Sequence, residues 1–203
     1  MGVKIVGISC SPRKGKSTKF SLEVCLQAAK ETTPDAETML IELSDMKVNG
    51  CLACGKCMKG LECIQEDDFA KMIPILSEPD LAGLVVATPV YFGSMTSQCK
   101  AFLDRCVIFR RNGFLFRDKV GGVVAVGGFR NGGQELTIQA VHAAMLAQDM
   151  VVVSEGRPTS HYGATLWSGY PDGIEKDAFG LETARNLGKR VAEVALRMHS
   201  KKA

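Results

Sequence analysis

Residues 81–88, LAGLVVAT, form a nearly continuous apolar run, and few environments accept such a segment. A strand with one wet face alternates apolar and polar residues, whereas an unbroken apolar run suits a parallel sheet covered by helices on both faces. The rest of the chain repeats the arrangement. Strand-like runs at 3–9, 38–43, 119–127 and 150–155 alternate with helical periodicity at 17–31, 67–77, 97–110, 133–148 and 181–199. Within 67–77, Phe69, Met72, Ile73 and Leu76 fall on one stripe. Five strands and five helices in alternation predict an α/β fold, a doubly wound five-stranded parallel sheet with helices on both faces. Right-handed crossovers leave few topologies. The order 2-1-3-4-5 fits better than a six-stranded dinucleotide fold, which needs another strand. One domain, 1–203, accommodates all of this and buries a substantial core. Two stretches lack periodicity, 44–66 and 156–178, and long irregular loops in compact domains are usually functional or interfacial.

The first of these stretches holds Cys51, Cys54, Cys57 and Cys63, half of the chain's 8 cysteines, in a C-x2-C-x2-C-x5-C run. Thiolates spaced this closely can converge on one soft metal centre from a single loop. Four of them make the protein ligand set of a [4Fe-4S] cluster or of a tetrahedral zinc site; a plain turn with bare thiols is the third possibility. An acidic pair, Asp67-Asp68, follows the run. The opening residues MGVKIVGISCSPRKGKS have neither the basic start nor the long apolar stretch of a signal peptide. Together with the cysteine count, this leads us to expect a reducing cytoplasm, where clustered thiols bind metal or do redox chemistry. Cys25, Cys99 and Cys106 fall on helical segments and read as small core hydrophobes, and Cys10 is read as packing too.

Ligands of open α/β sheets bind beyond the carboxyl ends of the strands, and here that means three loops. Residues 9–18, SCSPRKGKST, are rich in hydroxyls, carry Arg13, Lys14 and Lys16, and run into a helix N-terminus. That combination suits a phosphate. It is not a Walker A loop, because Cys10 stands where the first glycine is required, and G-x-G-x-x-G does not occur. Residues 88–96, TPVYFGSMT, offer two aromatics, a proline and a small flexible pair able to wall a planar ring. Residues 127–133, GGFRNGG, bare their backbone for close approach to a ligand. One loop for a phosphate and two for a ring describe a pocket for flavin mononucleotide (FMN).

Other classes are excluded on simple grounds. A net charge of +3 is too small to argue for nucleic acid, and no basic stripe with interleaved aromatics occurs. The pairs Arg110–Arg111 and Lys201–Lys202 read as solvated helix ends. No apolar run approaches the length of a membrane helix. The histidines are dispersed, and no Ser-His-Asp or HExxH constellation supports hydrolysis.

SCSPRKGKST followed by TPVYFGSMTSQCKAFLDR resembles the flavodoxin-like NADPH-dependent FMN reductase superfamily. The compact cysteine run narrows the resemblance to the iron-sulfur flavoproteins, and the similarity extends to the closing GLETARNLGKR. The resemblance implies that Ser9, Ser11, Arg13, Ser17 and Thr18 lie around the FMN phosphate. Pro89, Tyr91, Phe92, Gly93 and Ser94 would border the isoalloxazine, and Gly128 would close its other edge. Cys51, Cys54, Cys57 and Cys63 would hold a [4Fe-4S] cluster. A homodimer or homotetramer is implied, with the flavin near a subunit interface. The aromatic stretch Tyr162–Tyr170, with Trp167 at its centre, reads as an exposed patch through which 156–178 contributes to that interface.

The expected function is an FMN-dependent oxidoreductase passing electrons between cluster and FMN. A ferredoxin-type donor would feed it and a small-molecule acceptor would take the electrons, with no further catalytic side chain. An NAD(P)H-dependent FMN or quinone reductase without a cluster is the alternative. A flavodoxin-like electron carrier is a third reading, which the mildly basic charge and the extra loop disfavour.

Overall fold

The first strand, β1 (Lys4–Ser9), is buried along its whole length between β2 (Glu37–Glu42) and β3 (Leu81–Pro89), both parallel to it. Strand β4 (Val120–Gly127) follows β3, and β5 (Val151–Val152) closes the order 2-1-3-4-5 expected from the sequence. The computed structural model describes residues 3–199, so the Lys201–Lys202 pair lies outside the described residues.

Alternate residues of each strand feed two cores. Helices α1 (Ser17–Thr32) and α6 (Ala178–His199) cover one face, packing Leu22, Leu187 and Val191 on Ile5, Val85 and Val124. The other face carries α2 (Phe69–Leu76), α3 (Ser97–Arg105), α4 (Val107–Arg111) and α5 (Gln134–Leu146). The apolar stripe read in 67–77 is buried here: Phe69, Met72, Ile73 and Leu76 all face this core. Phe69 packs tilted against Phe102 and Phe109 at 6.3 Å, and Phe109 stacks on Phe116 at 4.6 Å. Among the described residues, no helix is long and apolar enough to cross a membrane.

Two expectations need correction. The strand read at 150–155 pairs with β4 only over β5, opposite Val120 and Gly121. The chain then leaves the sheet and returns as β6 (Ala164–Trp167), parallel to Val124–Gly127. The stretch 156–178, read as irregular, therefore contains a sixth strand that completes the fifth column. At the re-entry stands Gly163, where a Cβ would lie 2.7 Å from the Val123 carbonyl oxygen, so only glycine fits against β4. The helix read at 97–110 is likewise interrupted, at Cys106. The Cys106 carbonyl accepts from Gln148 Nε2 at 3.1 Å and from Phe109 N at 3.0 Å, a tighter turn than an α-helix makes.

Candidate functional site

Strand β1 ends at Ser9, which is wholly buried and whose hydroxyl has no partner among the described residues. Such a group normally finds a hydrogen bond, because leaving it unmade costs about 1–3 kcal/mol. Ser11, also buried, accepts from Arg13 N at 3.1 Å and turns the loop so that Arg13 faces solvent. No side chain caps α1 and no acid stands in its first turn, so its leading amides are open to an anion. Ser17 is half-buried in that turn and Thr18 is buried. Gly15 donates to Glu42 Oε1 at 2.6 Å, which ties the loop to the end of β2.

The second loop is joined to the first by Thr96, whose Oγ1 donates to the Cys10 carbonyl at 2.8 Å and caps α3 by accepting from Cys99 N at 3.1 Å. Pro89 is buried at the end of β3. Tyr91 and Ser94 exchange backbone hydrogen bonds of 2.8 and 3.1 Å across Phe92 (φ 48°) and Gly93 (φ 75°). Two successive left-handed residues make the mirror-image tight turn of hairpins. Glycine adopts that conformation freely, whereas Phe92 takes it at a cost of about 1–2 kcal/mol. The Phe92 ring is thereby held fully in solvent.

The third loop reaches the second where a Cβ on Gly133 would sit 3.3 Å from Gly93 Cα. Buried Gln134 staples it, accepting from Gly132 N at 2.8 Å and donating to the carbonyls of Phe129 (2.6 Å) and Leu166 (3.2 Å). Gly128 is exposed, and its carbonyl accepts from Trp167 Nε1 at 2.7 Å. That bond half-buries Trp167 beside the loop, so the indole is not the centre of an exposed patch. Buried Asp177 accepts from Trp167 N at 2.8 Å, from Gly180 N at 3.0 Å at the start of α6, and from Arg130. The residues read for the phosphate and for the ring thus lie along one edge of the sheet. Gln134 and Asp177, which shape that edge together with Trp167, were missed. Only Asp177 left a signal, as an acid just ahead of a helix.

The cysteine loop is closed at its neck. Asp68 accepts from Lys47 N at 2.7 Å, Gln65 Nε2 donates to the Gly50 carbonyl at 2.9 Å, and Asp67 accepts from Asn49 N at 2.9 Å. Asp67 also binds Arg105 through paired hydrogen bonds of 2.8 and 3.0 Å, with both side chains shielded from water. The Arg105 guanidinium lies 4.6 Å from the Phe69 ring centre. Burial pushes the Asp67 carboxyl up, but hydrogen bonds from Arg105, Asn49 and Phe69, with the guanidinium's charge, hold it below the usual carboxylate range.

Cys51, Cys54, Cys57 and Cys63 line one shallow recess, shared with Phe69, Ile108, Arg105 and Arg111. Cys51 and Cys54 are exposed, and Cys57 and Cys63 are partly buried. Among the described residues, no three His, Cys, Asp or Glu side chains stand in ligating positions, so the thiols share a recess without being drawn together. Four soft donors on one loop beside two guanidinium groups suit an anionic, thiolate-ligated group. The remaining cysteines differ in kind. Burial pushes the Cys25 thiol up to about 12, and also raises Cys106 and Cys10, the latter further beside Cys99. Cys10, Cys25 and Cys106 are protonated packing groups.

Residues 3–165 match the family model described as NADPH-dependent FMN reductase. The chain belongs to this family. It is 43% identical over 192 residues to an iron-sulfur flavoprotein of Methanocaldococcus jannaschii, covering 95% of this chain and 97% of the relative. It is 38% identical over 192 residues to an iron-sulfur flavoprotein of Methanosarcina thermophila, covering 95% of each. Within the NADPH-dependent FMN reductase family it therefore groups with the iron-sulfur flavoproteins. A WrbA-like flavodoxin from Agrobacterium tumefaciens superposes with a TM-score of 0.63 at 20% identity, over 97% of this chain and 99% of that one. That likeness shows the flavodoxin-like fold. Membership of the family makes the chain a flavin-dependent oxidoreductase.

Proposed function

We propose that this chain binds FMN at its three strand-end loops and a [4Fe-4S] cluster at Cys51, Cys54, Cys57 and Cys63, and passes electrons between them. The observation that carries this reading is the placement of all four cysteines of one run around a single recess. A bound cluster supplies one-electron chemistry, and FMN exchanges one or two electrons. A ferredoxin-type donor and a small-molecule acceptor complete the scheme.

The chain's own residues do the holding. The open amides of α1, the hydroxyls of Ser9, Ser11, Ser17 and Thr18, and the charge of Arg13 bind the phosphate. Pro89, Tyr91, Phe92, Gly93 and Ser94 wall the ring, and Gly128 lets backbone approach its far edge. The neck formed by Asp67, Asp68 and Arg105 keeps the cysteine loop closed before any metal arrives. Exposed Tyr91, Phe92, Phe129, Tyr162 and Phe179 support self-association into a homodimer or homotetramer that covers this edge. A monomer by light scattering across a wide concentration range overturns that part.

Anaerobic purification with iron, sulfide and flavin assays tests the scheme. Roughly four iron and four sulfide per chain are expected, with FMN released by acid. Cys54→Ser should abolish the iron and leave FMN bound, because the flavin loops are separate in sequence. FAD, or no flavin after reconstitution, sinks the flavin site. The family description and the unassembled thiols favour one alternative, an NAD(P)H-dependent FMN reductase with a bare cysteine loop. It predicts NADPH oxidation that needs no iron and is indifferent to Cys54→Ser.

A further inference from the structure

The end of α3 and the segment that follows it reach the cysteine recess with three donors. Arg111 Nη1 donates to Cys57 Sγ at 3.3 Å. Arg105 lines the same recess, where its charge acts on Cys63. Asn112 Nδ2 donates to the carbonyls of Cys57 at 3.0 Å and Gly60 at 3.2 Å, which fixes the loop's backbone. Arg105 is held by Asp67, so its charge is in place whatever fills the recess. Both arginines address Cys57 and Cys63, the two thiols already partly withdrawn from water.

We propose that Arg111, with Arg105 behind it, acts as a positioning residue that raises the reduction potential of the cluster through an N–H···S hydrogen bond at Cys57 and positive charge at Cys57 and Cys63. The inference rests on the proposed ligation of a cluster by this loop. A thiolate-ligated cluster gains negative charge on reduction. A donor or cation at its sulfurs therefore stabilises the reduced form more than the oxidised one. Groups just outside the ligands commonly tune metal sites in this way. The effect also favours electron entry from a weakly reducing donor.

The test is an EPR-monitored redox titration of the full chain, reconstituted anaerobically, for wild type and variants. Arg111→Leu removes charge and donor together. It should lower the equilibrium constant for one-electron reduction about tenfold, a fall of about 59 mV. Arg111→Lys should recover most of that fall, because an ammonium restores both charge and donor. Asn112→Ala should reduce the amount of cluster held without moving the potential. If Arg111→Leu fails to hold a cluster, Arg111→Gln carries the same comparison with a smaller fall. A wild-type potential in Arg111→Leu overturns the proposal. A shift as large in Asn112→Ala also overturns it, since the effect would then be structural. Wild type that takes up no iron and sulfide overturns the cluster reading as well, and that result precedes any measurement of potential.

Discussion

Replacing Asp67 by Asn keeps the shape of the side chain and removes one charge from the neck of the cysteine loop. Each Asp67 oxygen accepts twice, once from Arg105 and once from backbone. Oδ2 takes Arg105 Nη1 (2.8 Å) and Asn49 N (2.9 Å), and Oδ1 takes Arg105 Nη2 (3.0 Å) and Phe69 N (3.2 Å). Whichever way an asparagine amide turns, its NH2 faces one guanidinium donor and one backbone donor. Two of the four hydrogen bonds are lost, and the Arg105 charge is left uncompensated where both side chains are at most 2% exposed. Breaking such a pair costs about 3–5 kcal/mol, a large part of the roughly 5–15 kcal/mol that holds a domain together.

With a urea slope near 2 kcal/mol/M, the flavin-free and metal-free variant should unfold about 1.5–2.5 M earlier than wild type. The fluorescence of the single tryptophan, Trp167, reports the transition. Asp67→Asn with Arg105→Met should recover at least ~1 kcal/mol, because the orphaned cation goes with its partner. The pH dependence follows from the depressed carboxyl of Asp67. Its contribution is complete above the unfolded carboxylate pKa of about 3.9 and disappears as pH falls through the lower folded value. Wild type and Asp67→Asn should therefore differ by a constant amount at neutral pH and converge in acid. A loss below ~1 kcal/mol, or additive effects in the double variant, would refute the account of a dry, mutually dependent pair.

Ser9→Ala should leave the flavin-free protein at least as stable as wild type, and up to about 1–3 kcal/mol more so, because the buried hydroxyl it removes has no partner there. FMN affinity should fall by about 1–3 kcal/mol, or about 5- to 150-fold by fluorescence titration; an unchanged Kd places the phosphate elsewhere. Gly163→Ala should cost about 1–3 kcal/mol, since its Cβ would press on the Val123 carbonyl in β4. An unshifted urea midpoint would show that this edge of the sheet yields.

The strand order could be read from the chain because four strands announce themselves as apolar runs that need no partner to be recognised. The fifth column could be read only in its lower half, β5. Its upper half is β6, which spans 4 residues and enters on a glycine demanded by Val123, far away in sequence. The strand-end loops were legible for a related reason. A hydroxyl-rich turn running into a helix, or a cluster of glycines after a strand, is a local pattern with a local meaning. What stiffens those loops is not local: Gln134 reaches to Leu166, and Asp177 reaches to Trp167 and Arg130.

The cysteine recess divides along the same line. Its thiols were visible because their spacing is a motif, whereas its cations carry no pattern at all. Arg105 and Arg111 are six positions apart, so an unbroken α-helix would point them about 120° away from each other. On the helix read over 97–110 and continued one residue to Arg111, they give no reason to share a site. The break at Cys106 resets the phase between them, and both line the recess. That break depends in turn on the Cys106 carbonyl, which Gln148 engages from just beyond the end of α5. An arginine beside Cys57 is thus the end of a chain of contacts that runs through the core. Each link is ordinary hydrogen bonding, and none is encoded near the cysteines themselves.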